Sequence, residues 1–264
     1  WCVCKAEELE ARRKEAEAKG LSPRYDGRCR TLGITNPPGD AALRFKAPQE
    51  GQIVVDDLIK GKITFDNSAA DDLIILRSNG YPTYNFSVVV DDALMNITHV
   101  IRGDDHLTNT PRQIPIFQAL GFPVPQFGHL PMILGSDKTR LSKRHGATSL
   151  ADLRRQGYLA AAVRNHLFRL GHSGSEQGFM DLEAMAAAFD TRHLGRSPSR
   201  FDQVQLDVWQ KGAVHAMPDA DFGAWAGEAL PATLDPVTRA AFVAAVRPNV
   251  VFPADVHAWA KIVF

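Results

Sequence analysis

Thr98-His99-Val100-Ile101-Arg102-Gly103-Asp104-Asp105-His106, then Asn109-Thr110-Pro111-Arg112-Gln113, then His129-Leu130-Pro131-Met132-Ile133-Leu134, is the stretch whose reading decides the fold. Ile97 to Ile101 is a short β-prone run and predicts a strand. Thr110, Pro111 and Gln113 combine an N-cap, a proline at the first helical position and a capping-box glutamine, so a helix is expected up to Leu120 and a stop at Gly121. His129 to Leu134 reads as a short buried strand. Strand, helix, strand in this order predicts a parallel α/β unit whose ligand-binding edge lies at the strand C-termini.

Upstream, Ala42 to Val90 contains the apolar runs Ile53-Val54-Val55, Leu73 to Leu76 and Phe86 to Val90, with Asn79-Gly80 as a turn between two of them, and predicts sheet. Further upstream, Lys5 to Lys19 is dense in Glu, Ala, Lys and Arg. It places Glu10/Lys14 and Glu15/Lys19 at i,i+4 and stops at Gly20, which predicts a solvated helix. Downstream of Ser149 the pattern is helical to the end, with capping signals at Ser149, at Asp202 with Gln205, and at Asp235-Pro236. Domain boundaries are expected near 80, 135 and 217. Trp1-Cys2-Val3-Cys4 and the apolar end Trp259 to Phe264 read as interrupted elements, so the sequence is expected to be a piece of a longer chain.

Composition narrows the classes. The 264 residues are 45% hydrophobic and 23% charged, an ordinary globular balance long enough for roughly two domains. No stretch approaches the ~18 consecutive apolar residues of a membrane helix. Thirty Lys and Arg cancel thirty Asp and Glu, which argues against a protein that coats nucleic acid with its whole surface. Ser136 to His172 nevertheless holds eight Lys or Arg against two acids, which reads either as a directed patch or as a solvated helix face. The patch opens with Asp137-Lys138-Thr139-Arg140-Leu141-Ser142-Lys143-Arg144-His145-Gly146. Closely spaced cations on a loop after a strand suit a polyphosphate, because ammonium groups can follow charge to a leaving group, and the loop lacks the Walker pattern. Cys2, Cys4 and Cys29 are odd in number and clustered, which fits reduced thiols or a metal better than a disulfide framework.

Arg140-Leu141-Ser142-Lys143-Arg144 resembles the Lys-Met-Ser-Lys-Ser signature of class I aminoacyl-tRNA synthetases, in the form typical of bacterial glutamyl-tRNA synthetases. Pro82 to Phe86, Val89 to Asp92, Thr98 to His106 and Asn109 to Gln113 resemble the same family in order and spacing, from about Pro23 to His215. The resemblance implies an α/β fold: the C-terminal half of a Rossmann-type catalytic domain (81–135), an α+β acceptor-stem-binding insertion before it (1–80), a signature loop with a helical stem-contact domain (136–217), and the start of a helical anticodon-binding domain (218–264). The family's His-x-Gly-His signature has no match here, nor has the N-terminal strand that completes its glutamate pocket, so the isolated segment is expected not to form adenylate.

The resemblance further implies the activity, ATP-dependent attachment of L-glutamate to tRNA(Glu) through a glutamyl-adenylate, with Mg2+ accompanying ATP, in the cytoplasm and with neither membrane nor DNA as partner. Lys143, Arg140 and Ser142 are the implied catalytic residues. Lys143, Met132, Ile133 and His106 are implied at ATP, Met132 and Ile133 where the backbone receives adenine. Arg102 and Tyr84 are implied at the glutamate side chain. On its own chemistry, a guanidinium presents paired donors to a carboxylate and matches a neutral amide less well. The structural alternatives are an ion pair of Arg102 with Asp104 or Asp105, and cross-strand packing for Tyr84. Cys2, Cys4 and Cys29 resemble the zinc element of some of these enzymes. Thr31 stands where a histidine is usual, and Tyr25 is the candidate fourth ligand; three free thiols are the alternative. Two other functions remain: a glutamyl-queuosine-type tRNA-modifying synthetase and a non-catalytic RNA-binding module.

Overall fold

A computed structural model describes residues 1–21, 24–141, 149–173 and 178–264. They divide into two compact units, Trp1–His129 and Leu130–Phe264.

In the first unit, helix α1 (Ala6–Ala18) has no buried residue and carries the expected Lys14–Glu10 and Lys19–Glu15 pairs before Gly20 turns left-handed. Strands β1 (Leu43–Arg44) and β4 (Ile74–Leu76) pair antiparallel, and β2 (Gln52–Asp57) and β3 (Gly61–Asp66) form an antiparallel hairpin from Gln52 opposite Asp66 to Asp57 opposite Gly61. The Asn79-Gly80 turn is present, with Gly80 at φ +80° and its N–H on the Arg77 carbonyl.

Phe86 to Val90, expected as strand, lies instead in helix α2 (Tyr84–Leu94). Its β-branched run carries β-propensity, but Phe86, Val89 and Ala93 fall on one helical face and pack into the core. Tertiary burial of that face overrides local propensity.

Strand β5 (His99–Gly103), helix α3 (Thr110–Ala119) and strand β6 (Gln126–Leu130) realise the expected strand, helix, strand unit. β5 and β6 pair, and the Gln126 N–H on the Thr98 carbonyl joins their starts. Gly121 at φ +72° ends the helix as expected. The start of α3 differs from the expectation: Asn109 occupies the N-cap position without a side-chain cap bond, and Thr110 and Gln113 turn their side chains inward. Val55, Val89, Ile114, Ile116, Phe117 and Phe127 form the core of this unit.

The expected strand His129 to Leu134 is two strands. β6 ends at Leu130, Pro131 removes a ladder donor, and β7 (Ile133–Leu134) pairs parallel with β8 (Ser199–Arg200) in the second unit. The chain then folds back through a tight turn. Gly135 N–H bonds the Thr139 carbonyl, Leu141 N–H bonds the Ile133 carbonyl, and Asp137 Oδ1 accepts from both the N–H and the hydroxyl of Thr139.

The rest of this unit is mainly helical: α4 (Leu150–Arg155), α5 (Ala160–Gly171), α6 (Leu182–Ala188), α7 (Gln203–Ala216), α8 (Asp219–Ala226), α9 (Pro236–Val246) and α10 (Pro253–Val263). Ser149 caps α4 through Asp152 N–H, Asp202 caps α7 through Val204 and Gln205 N–H, and Asp235 caps α9 through Val237 and Thr238 N–H, all at the positions the sequence indicates. Val214, Phe222, Val250 and Val256 are fully buried in its core.

Candidate active site

Arg102 stands on β5 with its side chain half-buried between α3, β6 and the start of α2. Its Nε–H donates to His129 Nε2 at 3.1 Å, and Nη2 donates to Thr110 Oγ1 at 2.9 Å and to Gln113 Oε1 at 3.0 Å. Gln113 Nε2 in turn donates to Asn85 Oδ1 at 3.0 Å. The guanidinium carbon lies 5.4 Å from the centre of the Phe127 ring. Burial disfavours the charge of Arg102, while the Tyr84 phenol within reach and the more distant Asp92 favour it. An arginine in a protein stays cationic, so burial alone does not discharge it.

Among the described residues, Arg102 makes no ion pair with Asp104 or Asp105. Asp104 instead accepts from Lys60 Nζ at 2.9 Å, which ties the β2–β3 turn to the 3-10 turn Asp104–Asn109. Tyr84 opens α2 rather than packing across a sheet; it is 52% exposed, and its ring lies 6.0 Å from that of His106. His106 Nδ1 is 3.2 Å from Asn109 Nδ2. Tyr84, Arg102 and His106 thus form one neighbourhood at the C-terminal end of β5, the edge the strand order pointed to.

His129 is completely buried, and Asp57 beside it is nearly so. Asp57 Oδ2 lies 2.6 Å from His129 Nδ1. Its Oδ1 accepts the backbone N–H groups of Ile59, Lys60 and His129 at 3.0, 2.9 and 3.1 Å. Burial pushes the Asp57 carboxyl up, but the bonds from Lys60, the His129 ring, Ile59 and the His129 backbone outweigh it and hold it below its ordinary value. Sequence reasoning assigned Asp57, Thr110, Gln113 and His129 no site role. The local pattern marks Thr110 and Gln113 as helix-capping residues, and nothing in it distinguishes a buried strand-end Asp or His of a site from a structural one.

In the second unit, Met132 and Ile133 are half-buried around β7, and Arg140 is exposed on the turn that follows. Ser142 and Lys143 lie outside the described residues. The basic segment is partly spent on structure. Arg169 bonds Asn165 Oδ1 at 2.7 Å and lies 4.0 Å from the Trp209 ring centre, and Arg155 pairs with Asp152.

The cysteines form a second constellation. The Sγ atoms of Cys2, Cys4 and Cys29 lie within 4.8 Å of one another. Tyr25 Oη is 3.6 Å from Cys2 Sγ and 3.9 Å from Cys4 Sγ, while Thr31 is exposed. Sulfur atoms ~2.3 Å from a tetrahedral zinc lie ~3.8 Å apart, so three thiols and one phenol fit such an ion. Burial pushes the Cys2 thiol up, but hydrogen bonds from Arg44, Cys4 and Tyr25 outweigh it and bring it down to about 6; Cys4 is pushed up to about 11 by burial and by the thiols of Cys29 and Cys2.

The β5–α3–β6 unit, with a half-buried arginine at its C-terminal edge, defines an α/β domain of the nucleotide-fold class. Residues 1–208 match the family model described as tRNA synthetases class I (E and Q), catalytic domain, and the chain belongs to that family. It is 56% identical over 206 residues to a glutamate–tRNA ligase of Trichlorobacter lovleyi, covering 78% of this chain and 44% of that protein. It is 47% identical over 266 residues to glutamate–tRNA ligase 2 of Acidithiobacillus ferrooxidans, covering 98% and 55%. The crystal structure of a glutamate tRNA ligase from Elizabethkingia meningosepticum in complex with its amino acid superposes with a TM-score of 0.87 at 25% identity, over 98% of this chain and 59% of that one. The chain spans about half the length of the curated relatives it matches.

Proposed function

We propose that this chain carries the amino-acid-reading half of the catalytic domain, and part of the tRNA-binding surface, of a cytoplasmic enzyme that attaches L-glutamate to tRNA(Glu) through a glutamyl-adenylate. The observation that carries the reading is Arg102: a half-buried cation with neutral protein acceptors on Nε and Nη2, beside the Tyr84 phenol, in a chain of the E and Q synthetase family.

The mechanism follows from these groups. Arg102 Nη1 and the Tyr84 hydroxyl meet the side-chain carboxylate of glutamate. Glutamine offers an amide whose NH2 faces donors, and is disfavoured. Held in that orientation, the α-carboxylate attacks the α-phosphorus of ATP, supplied with Mg2+, and pyrophosphate leaves. Lys143, assisted by Arg140 and Ser142, stabilises the phosphates as charge moves to the leaving group. The backbone at Met132 and Ile133 receives adenine, and His106 contributes to ATP binding. The glutamyl group then passes to the terminal ribose of the tRNA. Cys2, Cys4, Cys29 and Tyr25 hold a structural zinc ion in the part that grips the tRNA acceptor end.

The test transplants residues 1–208 into the Trichlorobacter lovleyi ligase in place of its matching segment. Glutamate-dependent ATP–pyrophosphate exchange is expected, with a loss of about a hundredfold or more in kcat/KM on Arg102→Gln, the scale of a charge-assisted pair to a substrate anion. A hybrid that charges glutamine as well as glutamate, or is indifferent to Arg102→Gln, would overturn the reading.

A further inference from the structure

We infer that Asp57 and His129 are positioning residues for Arg102: a buried carboxylate–imidazole pair that fixes the guanidinium plane without neutralising its charge. The inference rests on the reading of Arg102 as the glutamate-binding residue, and it follows from where each proton must be.

Arg102 cannot give up its Nε proton, so His129 Nε2, 3.1 Å away, is the acceptor. The ring's proton then sits on Nδ1 and is donated to Asp57 Oδ2 at 2.6 Å. Asp57 has no freedom to turn, because its other oxygen already accepts three backbone N–H groups. The carboxylate thereby selects one imidazole tautomer, and that tautomer presents a lone pair to Arg102.

The acceptors on Arg102 are an imidazole, a hydroxyl and an amide, all neutral. Among the described residues no carboxylate hydrogen-bonds it, and Asp92 acts on it only through space. A direct carboxylate partner would hold the guanidinium equally well but would spend the charge a ligand needs. Asp57, one imidazole removed, supplies orientation and leaves that charge to an incoming anion. A purely structural tie between the β2–β3 turn and β6 would be complete with the three backbone bonds to Asp57 Oδ1 and would not require an imidazole of one defined tautomer.

The test uses residues 1–264. Nitrogen NMR of His129 is expected to show a protonated Nδ1 and a bare Nε2, and the Arg102 Nε–H signal is expected to be protected from exchange with water. In Asp57→Asn, the amide oxygen must still accept the three backbone N–H groups, so its NH2 faces His129. The tautomer then flips, Nε2–H confronts Nε–H, and protection is lost. In the hybrid ligase carrying residues 1–208, binding of L-glutamate, titrated against L-glutamine, is expected to weaken about tenfold in Asp57→Asn and in His129→Leu, the scale of one hydrogen bond to a charged group. His129→Gln restores an acceptor and is expected to recover both the protection and the preference for glutamate.

An Nε2–H tautomer in the unsubstituted chain would overturn the inference. So would unchanged Arg102 Nε–H protection in both Asp57→Asn and His129→Leu. A hybrid ligase that binds no glutamate, while the chain shows the expected NMR pattern and its loss, would instead overturn the functional reading and leave the positioning of Arg102 established. Thermal unfolding of each variant separates loss of fold from loss of position.

Discussion

Arg102 illustrates how much of a site one residue can carry and how little of its setting is local. Its identity and its place at the end of a strand were legible, as was the nearby tyrosine. Its partners were not: they come from β6 and α3, with Asp57 behind them on β2. Thr110 and Gln113 stood where helix-capping residues belong, and only burial at 0% and 2% exposure shows that they face the guanidinium instead.

Asp57 also gives an acid dependence. Its carboxyl is held below its ordinary value of 3.8, so its bonds stabilise the fold fully above about pH 4 and are lost as the pH falls through the lower folded value. Denaturant midpoints are therefore expected to be flat from pH 7 to 5 as far as this group is concerned and to decline below about pH 4. Asp57→Asn should reduce that decline; a decline of unchanged size in the variant would assign the acid sensitivity elsewhere. The cysteine cluster adds a second residue-level prediction. The chain purified under reducing conditions should carry about one zinc ion by elemental analysis, and Cys4→Ser should lose it. Metal content unchanged by that substitution would leave the cluster as three thiols and a phenol.

Elements with strong end signals were read well from sequence. Ser149, Asp202 and Asp235 cap helices as expected, because a short oxygen-bearing side chain before an apolar periodic run leaves few other arrangements. Phe86 to Val90 was misread because its β-branched residues carry the same period-four apolar face that a helix buries. His129 to Leu134 was misread as one strand because Pro131 separates two pairings that no local pattern reveals. Gly157 shows a constraint visible only in three dimensions. It follows α4 at φ +91°, and a Cβ there would lie 3.1 Å from Pro253 Cδ. Its carbonyl accepts from Gln210 Nε2 and Trp225 Nε1. Gly157→Ala is expected to cost more than about 1 kcal/mol, measured by urea unfolding; a neutral change would mean that the segment shifts without penalty.

At the scale of the whole chain, the two compact units each have a core of their own, one around Val89, Ile116 and Phe117, the other around Phe222, Val250 and Val256. Phe222→Ala should remove about 3–5 kcal/mol from the second unit. Calorimetry is then expected to show a transition that moves down while the other stays, whereas a single transition shifting as a whole would show one cooperative unit. This division also explains what the sequence could and could not offer about the site. Arg102, Tyr84, His106 and the partners of Arg102 all lie within the first unit. Met132, Ile133 and Arg140 belong to the second, and Lys143 is outside the described residues.

The central claim is that Arg102 reads a carboxylate. The most direct measurement is ATP–pyrophosphate exchange by the hybrid ligase carrying residues 1–208, with glutamate and glutamine side by side, before and after Arg102→Gln. The account predicts exchange with glutamate alone and its near-complete loss on substitution; equal exchange with both amino acids, or exchange unaffected by the loss of the guanidinium, would contradict it.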